Sequence, residues 1–299
     1  MASEVPSNTR IEILAPAKLN LFLRITGRGD DGYHALQTVF QFIDLCDEVT
    51  LETRTDGRIE RSGTDLGIAP QDDLAVRAAR AVQLVTGISH GVNIHINKRI
   101  PTGAGLGGGS SNAASVLLGL NELWQLGLKP TDLARIGLEL GADVPIFVHG
   151  TATWAEGVGD RFTPIALEER DFLLATPPVH VSTAEVFSSP QLTRDCDTLT
   201  IAGFPMTESL RSARHLMLAG NVCEAVVRNR YAEIAHCMAW LEQWGVTRMT
   251  GTGAACFAVP ERDALEAALA AATDAPCPVN LVRGLSESPA LRALPSRTT

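Results

Sequence analysis

Residues 101–111 read Pro-Thr-Gly-Ala-Gly-Leu-Gly-Gly-Gly-Ser-Ser. Five of the seven residues at 103–109 are glycines, which leave successive backbone N–H groups unshielded by side chains. An amphipathic helix is expected from about Asn112, so its unpaired N–H groups and positive dipole end face the same loop. A glycine-rich loop that leads into a helix N-terminus is suited to binding phosphate, and the sequence predicts such a loop here.

Several kinds of phosphate-binding loop compete for this segment. A Walker loop requires a Gly-Lys pair, which the sequence does not contain. Gly103, Gly105 and Gly108 fit the G-x-G-x-x-G pattern of dinucleotide-binding folds and protein kinases. A dinucleotide fold places an acidic residue about 20 positions further on, at a strand end, but Glu122 falls within the expected helix. The His-Arg-Asp and Asp-Phe-Gly signatures of protein kinases are missing from the sequence. All three alternatives therefore fail.

The rest of the chain alternates strand-like and helix-like stretches. Strands are expected at residues 11–14, 19–25, 47–52, 92–96, 172–175, 248–259 and 279–282. Helices are expected at residues 73–86 and 112–126, from Thr131 onward, and at 207–218, 221–244 and 262–272. This alternation predicts an α+β protein of two domains, 1–164 and 165–299, with the boundary just after Pro164.

Three segments resemble the motifs of one family of small-molecule kinases. The glycine loop and the residues that follow it, at 101–114, resemble the second motif of galactokinase, homoserine kinase, mevalonate kinase and phosphomevalonate kinase (GHMP kinases). Ala-Pro-Ala-Lys-Leu-Asn-Leu at 15–21 resembles the N-terminal motif of this family. Thr-Gly-Thr-Gly-Ala-Ala-Cys-Phe at 250–257 resembles its C-terminal glycine motif. The three motifs occur in the family's order and extend over most of the chain.

The resemblance implies an ATP-dependent kinase with two lobes and an active-site cleft between them. ATP and Mg²⁺ are the implied cofactors, and the N-terminal domain is the implied ATP-binding domain. The implied ATP-binding residues are Pro101, Thr102, Gly103, Ala104, Gly105, Leu106, Gly107, Gly108, Gly109, Ser110, Ser111 and Lys98. Further likeness at residues 32–34 and 141–145 implies a cytidine diphosphate-linked methylerythritol as the substrate. Its 2-hydroxyl would be phosphorylated, in the non-mevalonate pathway to isoprenoids.

Lys18 and Asp143 are the catalytic residues that the resemblance implies. Taken alone, an Asp placed like Asp143 is typical of a turn or a helix cap. Lys18 taken alone could be a strand lysine whose ammonium reaches solvent. In the family the two lie side by side, where the positive charge keeps the carboxylate ionised and the carboxylate acts as general base. Asn20 lies on the same strand face as Lys18 and is an expected substrate-binding residue.

A pocket for the cytosine of the substrate is implied by Tyr33, His34 and Phe187. Tyr33 and Phe187 would supply aromatic faces for stacking, and His34 would hydrogen-bond the edge of the base. A surface turn at Tyr33-His34 and a core role for Phe187 are the alternatives. Gly251 and Gly253 would allow the backbone to approach the substrate's phosphates, whereas their structural alternative is a strand bulge.

Three positions depart from the family's usual residues. Ala104 stands where the family often has glycine, and alanine tolerates a positive φ poorly. Thr102 stands where methionine is usual. Asp73 stands where asparagine is more usual, near the adenine. No departure affects Lys18 or Asp143.

Composition limits the function classes. The formal net charge of −9 argues against nucleic acid and anionic membrane as partners, and no obligatory protein partner is evident. Six cysteines without Cys-x-x-Cys spacing favour reduced thiols over a metal site or a disulfide framework. A polar N-terminus and the lack of a long apolar run favour a cytoplasmic protein.

Three other functions compete with this one. A GHMP kinase for another small alcohol would not need the Tyr33-His34 pair, because mevalonate offers no base to stack. A nucleotide-binding module without catalysis would not need the Lys18 and Asp143 pair. A nucleic-acid-binding protein would need a basic surface, which this acidic chain lacks.

Overall fold

The computed structural model describes residues 9–29, 34–65, 67–201 and 211–294. Its strands are β1 Arg10–Arg28, β2 His34–Arg54, β3 Ile59–Gly63, β4 Gly91–Asn97, β5 Thr153–Glu156, β6 Arg161–Pro164, β7 Asp171–Ala175, β8 Gly245–Met249, β9 Cys256–Pro260 and β10 Val279–Leu285. Its helices are α1 Leu74–Thr86, α2 Gly108–Leu123, α3 Pro130–Leu140, α4 Val144–His149, α5 Thr183–Ser188, α6 Ala213–Met217, α7 Cys223–Arg230, α8 Ala232–Leu241 and α9 Leu265–Ala271. Short 3₁₀ helices cover Ala272–Asp274 and Pro289–Ala293. The expected α+β class is confirmed.

The long antiparallel pair of β1 and β2 forms the centre of the sheet. Within the described residues the sheet order is β3-β4-β2-β10-β7-β9-β8, with β1 and β5 also paired to β2 and β6 paired to β5. The pair formed by β2 and β10 joins the first group of strands to the last, through Gly284 opposite Ile43 and Leu285 opposite Phe42. Lys18 lies in the middle of this arrangement, opposite Phe42 on β2.

The first two strands are longer than the sequence predicts. The strands expected at residues 11–14 and 19–25 are parts of the single strand β1, and β2 runs through residues 39–52 without a break. Bulges between Pro16 and Ala17 and between Asn20 and Leu23 absorb the irregularities in the β1–β2 ladder. Polar residues such as Lys18 interrupt the apolar pattern because they face the site, and for this reason the sequence shows two short strands.

Helix boundaries differ from the prediction in two places. The helix expected at residues 221–244 is divided into α7 and α8, because Tyr231 has an extended backbone with φ −124° and ψ 100°. The helix expected at residues 207–218 is described only from residue 211, where α6 covers Ala213–Met217. The expected domain boundary falls directly after β6 and stays a prediction.

Two of the cysteines lie close together in the fold, Cys237 on α8 and Cys277 before β10. The two residues are 40 positions apart and folding brings their Cα atoms to 6.5 Å, a proximity that local cysteine spacing does not reveal. The expectation of reduced thiols stays a prediction.

Within the described ranges, no helix is both long enough and apolar enough to cross a membrane.

Helix α2 is the core helix that follows the glycine loop. Its residues are buried almost continuously from Ser111 to Leu120, whereas the sequence predicted a single buried face. It contacts α1, α3, α4 and both long strands, so it is covered on nearly all sides. Gly119 lies where α2 approaches the sheet: a Cβ there would be 2.5 Å from Leu51 Cδ1 and 2.7 Å from Ile13 Cδ1. The glycine therefore sets the distance between α2 and the sheet.

We expect Gly119→Val to lower the free energy of unfolding by about 1–3 kcal/mol, because the branched side chain overpacks the helix–sheet contact. Gly27→Val is the control, since a Cβ at Gly27 meets nothing within 4 Å. Urea unfolding followed by circular dichroism measures both. Equal stability of the two variants would contradict the assigned role of Gly119.

Candidate active site

The glycine loop adopts a conformation that requires three of its glycines. Gly103, Gly105 and Gly107 have φ values of 69°, 75° and 73°, in the left-handed region. A Cβ at Gly105 would lie 2.6 Å from the carbonyl oxygen of Thr250, and one at Gly107 would lie 2.8 Å from the Phe147 ring. The loop is therefore packed closely against the C-terminal glycine motif on one side and α4 on the other.

Two expectations about this loop are resolved. Ala104 is not among the residues with positive φ, so the departure from glycine causes no backbone strain. Helix α2 begins at Gly108 rather than near Asn112. The last two glycines and both serines therefore form the first turn of the helix, although glycine is a poor helix former. The unpaired N–H groups of that turn lie within the loop sequence itself.

Lys18 is buried and joins three separate segments. Its residue is 3% exposed, and its Nζ donates to Asn20 Oδ1 at 2.6 Å and to the Gly105 carbonyl at 2.8 Å. Asp143 Oδ2 lies 3.6 Å from the same Nζ, which makes an ion pair. Burial lowers the pKa of Lys18, and the nearby Asp143 carboxylate opposes that effect. The alternative of a lysine that reaches solvent is therefore wrong.

Asp143 occupies a helix-capping position without acting as a cap. It stands at the N-cap of α4, but its side chain makes no capping hydrogen bond. Its carboxylate is 40% exposed and faces Lys18, so one oxygen pairs with the ammonium while the group stays accessible. Such an arrangement suits a base that must reach a substrate hydroxyl.

Thr250 connects Asn20 to the C-terminal glycine motif. The backbone N–H of Asn20 donates to Thr250 Oγ1 at 3.0 Å, and the side-chain Nδ2 of Asn20 donates to Thr38 Oγ1 at 3.0 Å. Gly251 follows with φ 58°, and a Cβ there would lie 3.4 Å from Asn20 Oδ1 and 3.6 Å from Lys18 Nζ. The glycine thus leaves open the space beside the buried ammonium.

A buried carboxylate holds the segment that enters the glycine loop. Asp47 on β2 is fully buried and accepts hydrogen bonds from the backbone N–H of Arg99 at 2.7 Å and of Ile100 at 2.9 Å. It also pairs with the Lys98 ammonium. A Cβ at Gly108 would lie 3.0 Å from Lys98 Nζ. Asp47 therefore fixes both the loop entry and a lysine beside the start of α2.

Asp73 and Arg61 lie at the other side of the loop. One oxygen of Asp73 caps α1 by accepting from the Ala75 N–H at 2.8 Å, and the other lies 3.3 Å from Arg61 Nε. Both side chains are 13% exposed. The Asp73 carboxylate is therefore already engaged by α1 and by Arg61.

His34, the first residue of β2, lies beside Phe187 on α5. Their rings are 5.3 Å apart with an interplanar angle of 23°, which is a stacked arrangement. His34 Nε2 is 3.2 Å from Arg194 Nε. Tyr33 lies outside the described residues.

One cavity of about 860 Å³ connects these groups. The predicted site residues that line it are Lys18, Asn20, His34, Lys98, Pro101, Thr102, Gly103, Ala104, Gly105, Leu106, Gly107, Gly108, Gly109, Ser110, Asp143, Phe187 and Gly251. Ser111 and Gly253 are not among the lining residues, and Ser111 is fully buried. The cavity thus extends from the loop, past the buried ammonium, to the two stacked rings.

The comparisons with known proteins agree with this arrangement. The profile of the GHMP kinases N terminal domain matches residues 73–151, and that of the GHMP kinases C terminal domain matches residues 206–278. A 4-diphosphocytidyl-2-C-methyl-D-erythritol kinase of Nitrosococcus oceani is 51% identical over 247 residues, which is 82% of this chain and 84% of that protein.

The chain belongs to the GHMP kinases.

Further relatives place this GHMP kinase within the family. A 4-diphosphocytidyl-2-C-methyl-D-erythritol kinase of Xanthomonas campestris is 47% identical and covers 94% of this chain and 92% of its own. The crystal structure of a 4-(cytidine 5'-diphospho)-2C-methyl-D-erythritol kinase superimposes with a TM-score of 0.76 at 31% identity, over 92% of this chain and 99% of that one. The kinase therefore groups with these enzymes, and the expected two-lobed GHMP kinase fold is confirmed. The mevalonate kinase of Methanococcus jannaschii shares the fold, with a TM-score of 0.70 at 16% identity, over 95% of this chain and 100% of that one.

Four residues of the kinase's site were missed by sequence reasoning. They are Asp47, Arg61, Arg194 and Thr250. Asp47 gave a signal that could have been used, since it is an acidic residue between the apolar stretches of β2. Thr250 begins the C-terminal glycine motif that the sequence did identify. Arg61 and Arg194 gave no signal in the sequence that could have identified them, because arginines occur throughout the chain.

We expect Asp47→Asn to lower the free energy of unfolding of this kinase by about 3 kcal/mol, because it leaves the Lys98 charge buried without its partner. Glu48→Gln is a matched control: the neighbouring Glu48–Arg99 pair is exposed and its loss costs less than about 1 kcal/mol. Urea unfolding of both variants checks this. If both substitutions lowered the free energy of unfolding by the same small amount, the Asp47–Lys98 pair would not be an anchor of the loop.

Proposed function

We propose that this kinase transfers the γ-phosphoryl group of ATP to the 2-hydroxyl of 4-diphosphocytidyl-2-C-methyl-D-erythritol, in the non-mevalonate route to isoprenoid precursors. The names of its relatives support the substrate. One observation carries the chemistry: the Lys18 ammonium is buried beside Asp143 and the glycine loop, and Lys18 lines a cavity that His34 and Phe187 also line. The same cavity therefore offers a phosphate cradle, a base and an aromatic pocket.

The triphosphate of ATP binds to the glycine loop in this proposal. Residues 102–110 contribute mainly backbone N–H groups, and the first turn of α2 contributes its dipole. Pro101 has no N–H, and the Ser111 N–H already donates to the Gly107 carbonyl. Lys98 lies beside Gly108, with part of its charge balanced by Asp47. The loop is held at both ends before any ligand binds, which favours an in-line arrangement of the reacting groups.

Magnesium fits this site as an ion that accompanies the nucleotide. The described residues contain no group of three His, Cys, Asp or Glu side chains that could hold a metal, so phosphate oxygens and water would be its main ligands. The Ser110 hydroxyl in the first turn of α2 lines the cavity and would be a protein ligand. When bound, the ion neutralises charge on the phosphate oxygens.

Asp143 and Lys18 handle the proton and the developing charge. Asp143 accepts the proton of the 2-hydroxyl, and the resulting oxygen attacks the γ-phosphorus while the bond to ADP breaks. Lys18 lies 3.6 Å from the Asp143 carboxylate and stabilises negative charge on the attacking oxygen. Asn20 holds the ammonium in place through its 2.6 Å hydrogen bond.

The cytidine end of the substrate binds at the two stacked rings. Phe187 and Tyr33 offer faces for the base, and His34 hydrogen-bonds its edge. Gly251 lines the cavity and has a positive φ, so it allows the substrate's diphosphate to approach the backbone. The expected contact of Gly253 is not part of this proposal, because Gly253 does not line the cavity and a Cβ there would lie 2.8 Å from Met249 Sδ. In this proposal residues 1–164 form the ATP-binding domain and residues 165–299 the second domain.

Release of ADP with magnesium-ATP tests the proposed function. The kinase is assayed with 4-diphosphocytidyl-2-C-methyl-D-erythritol, mevalonate, homoserine and galactose. Turnover confined to the cytidine compound supports the proposal. Turnover with another alcohol would support the proposed phosphate-binding and catalytic residues but contradict the proposed cytosine pocket. ATP binding without any turnover would favour a nucleotide-binding module instead.

We expect Asp143→Asn to reduce kcat by roughly 10²–10⁴-fold, the usual contribution of a general base, with ATP binding nearly intact. Glu139→Gln removes an equivalent charge from the exposed face of α3, outside the cavity, and should leave kcat unchanged. Steady-state kinetics and nucleotide titration measure both properties. Near-normal turnover of Asp143→Asn would show that another group, or solvent, takes the proton.

A further inference from the structure

Arg194 lies between His34 and the end of α5. Its Nη2 donates to the carbonyl oxygens of Phe187 and Ser189, each at 2.8 Å, and its Nη1 donates to that of Leu192 at 3.0 Å. Its Nε points at His34 Nε2, at 3.2 Å. Three backbone carbonyls thus fix the plane of the guanidinium, so the direction in which Nε donates is fixed as well.

This contact determines the tautomer of His34. The arginine guanidinium carries five N–H donors and has no acceptor, so His34 Nε2 must be the acceptor. Burial lowers the pKa of His34, and the positive charges of Arg194 and Arg28 lower it further. The imidazole is therefore neutral near pH 7 and carries its one proton on Nδ1.

We propose that Arg194 is a positioning residue that makes the base pocket selective for cytosine over uracil, by holding His34 as the Nδ1–H tautomer. The inference rests on the proposed function, which places a pyrimidine at His34. The inference assigns the selectivity to Arg194, which acts on the base only through His34.

The selectivity follows from the hydrogen-bonding pattern of the two bases. Ring nitrogen N3 of cytosine is an acceptor, and it pairs with the Nδ1–H donor of His34. In uracil N3 carries a hydrogen, so two donors would face each other and both would lose their partners. A site that leaves buried polar groups unpaired rejects a ligand far more strongly than a site that only loses a contact. Without Arg194, His34 could adopt the other tautomer, in which Nδ1 accepts from uracil N3–H.

A purely structural role for Arg194 makes a different prediction. Because Arg194 also holds the carbonyl of Phe187, its loss could displace the ring that stacks on the base. Stacking on an aromatic face is nearly the same for cytosine and uracil. A displaced Phe187 would therefore weaken both substrates equally and leave their ratio unchanged, whereas a released tautomer changes the ratio.

The test compares kcat/KM for 4-diphosphocytidyl-2-C-methyl-D-erythritol with that for its uridine counterpart. We expect Arg194→Met to reduce the preference for cytidine roughly tenfold, the effect of one hydrogen bond, through KM and without changing KM for ATP. Arg230→Met is the matched control, because Arg230 also contacts α5, through the exposed Glu185 at 3.1 Å, and should keep the preference.

Each outcome separates the inference from the proposed function. An unchanged ratio in Arg194→Met, with both KM values raised together, would overturn the inference and leave the proposed function intact. A wild-type enzyme that turns over neither nucleotide compound would instead refute the proposed function. Nitrogen-15 NMR of the wild-type enzyme tests the tautomer without any substitution: a proton on Nδ1 of His34 supports the inference, and a proton on Nε2 overturns it.

Discussion

Burial of the Lys18 ammonium is the constraint on which the site depends. A buried charge without partners costs several kcal/mol. Here one partner is Asn20 on the same strand, and the other two, the Gly105 carbonyl and Asp143, come from distant parts of the chain. Strand β1, the glycine loop and the start of α4 must therefore all be in place for the charge to be balanced. The same requirement that stabilises the fold also places the Asp143 carboxylate, the proposed base, beside the glycine loop.

The glycine loop is fixed at two further points. At its entry Asp47 accepts from the N–H groups of Arg99 and Ile100, and further along the Leu106 carbonyl accepts from the Lys18 N–H at 3.0 Å. A loop held in this way keeps its N–H groups oriented before a ligand arrives, which reduces the reorganisation that binding requires. Its glycines therefore serve close packing and positive φ values, in a segment that is firmly anchored.

Local pattern predicted the parts of the site that are contiguous in sequence. The loop at 101–111 and the placement of Lys18 beside Asn20 needed only spacing, glycine content or motif likeness. Contacts made by folding could not be read in this way: Asp47 reaches the loop across 51 to 53 positions, and Arg194 reaches His34 across 160. The start of α2 at Gly108 was missed because intrinsic propensity disfavours glycine in helices, and packing overrides it.

The β1–β2 pair carries both ends of the site. Lys18 lies opposite Phe42 in the middle of the pair, whereas His34 lies opposite Arg28 at its end. The ladder between Lys18 and His34 is interrupted by register shifts between Asn20 and Leu23 and between Ile25 and Gly27. The distance between the two residues is therefore set by the number of residues along the strands and by these irregularities. If the substrate binds as proposed, the β1–β2 pair sets the distance that the substrate must span, and inserting or deleting a residue between Lys18 and Arg28 would change that distance.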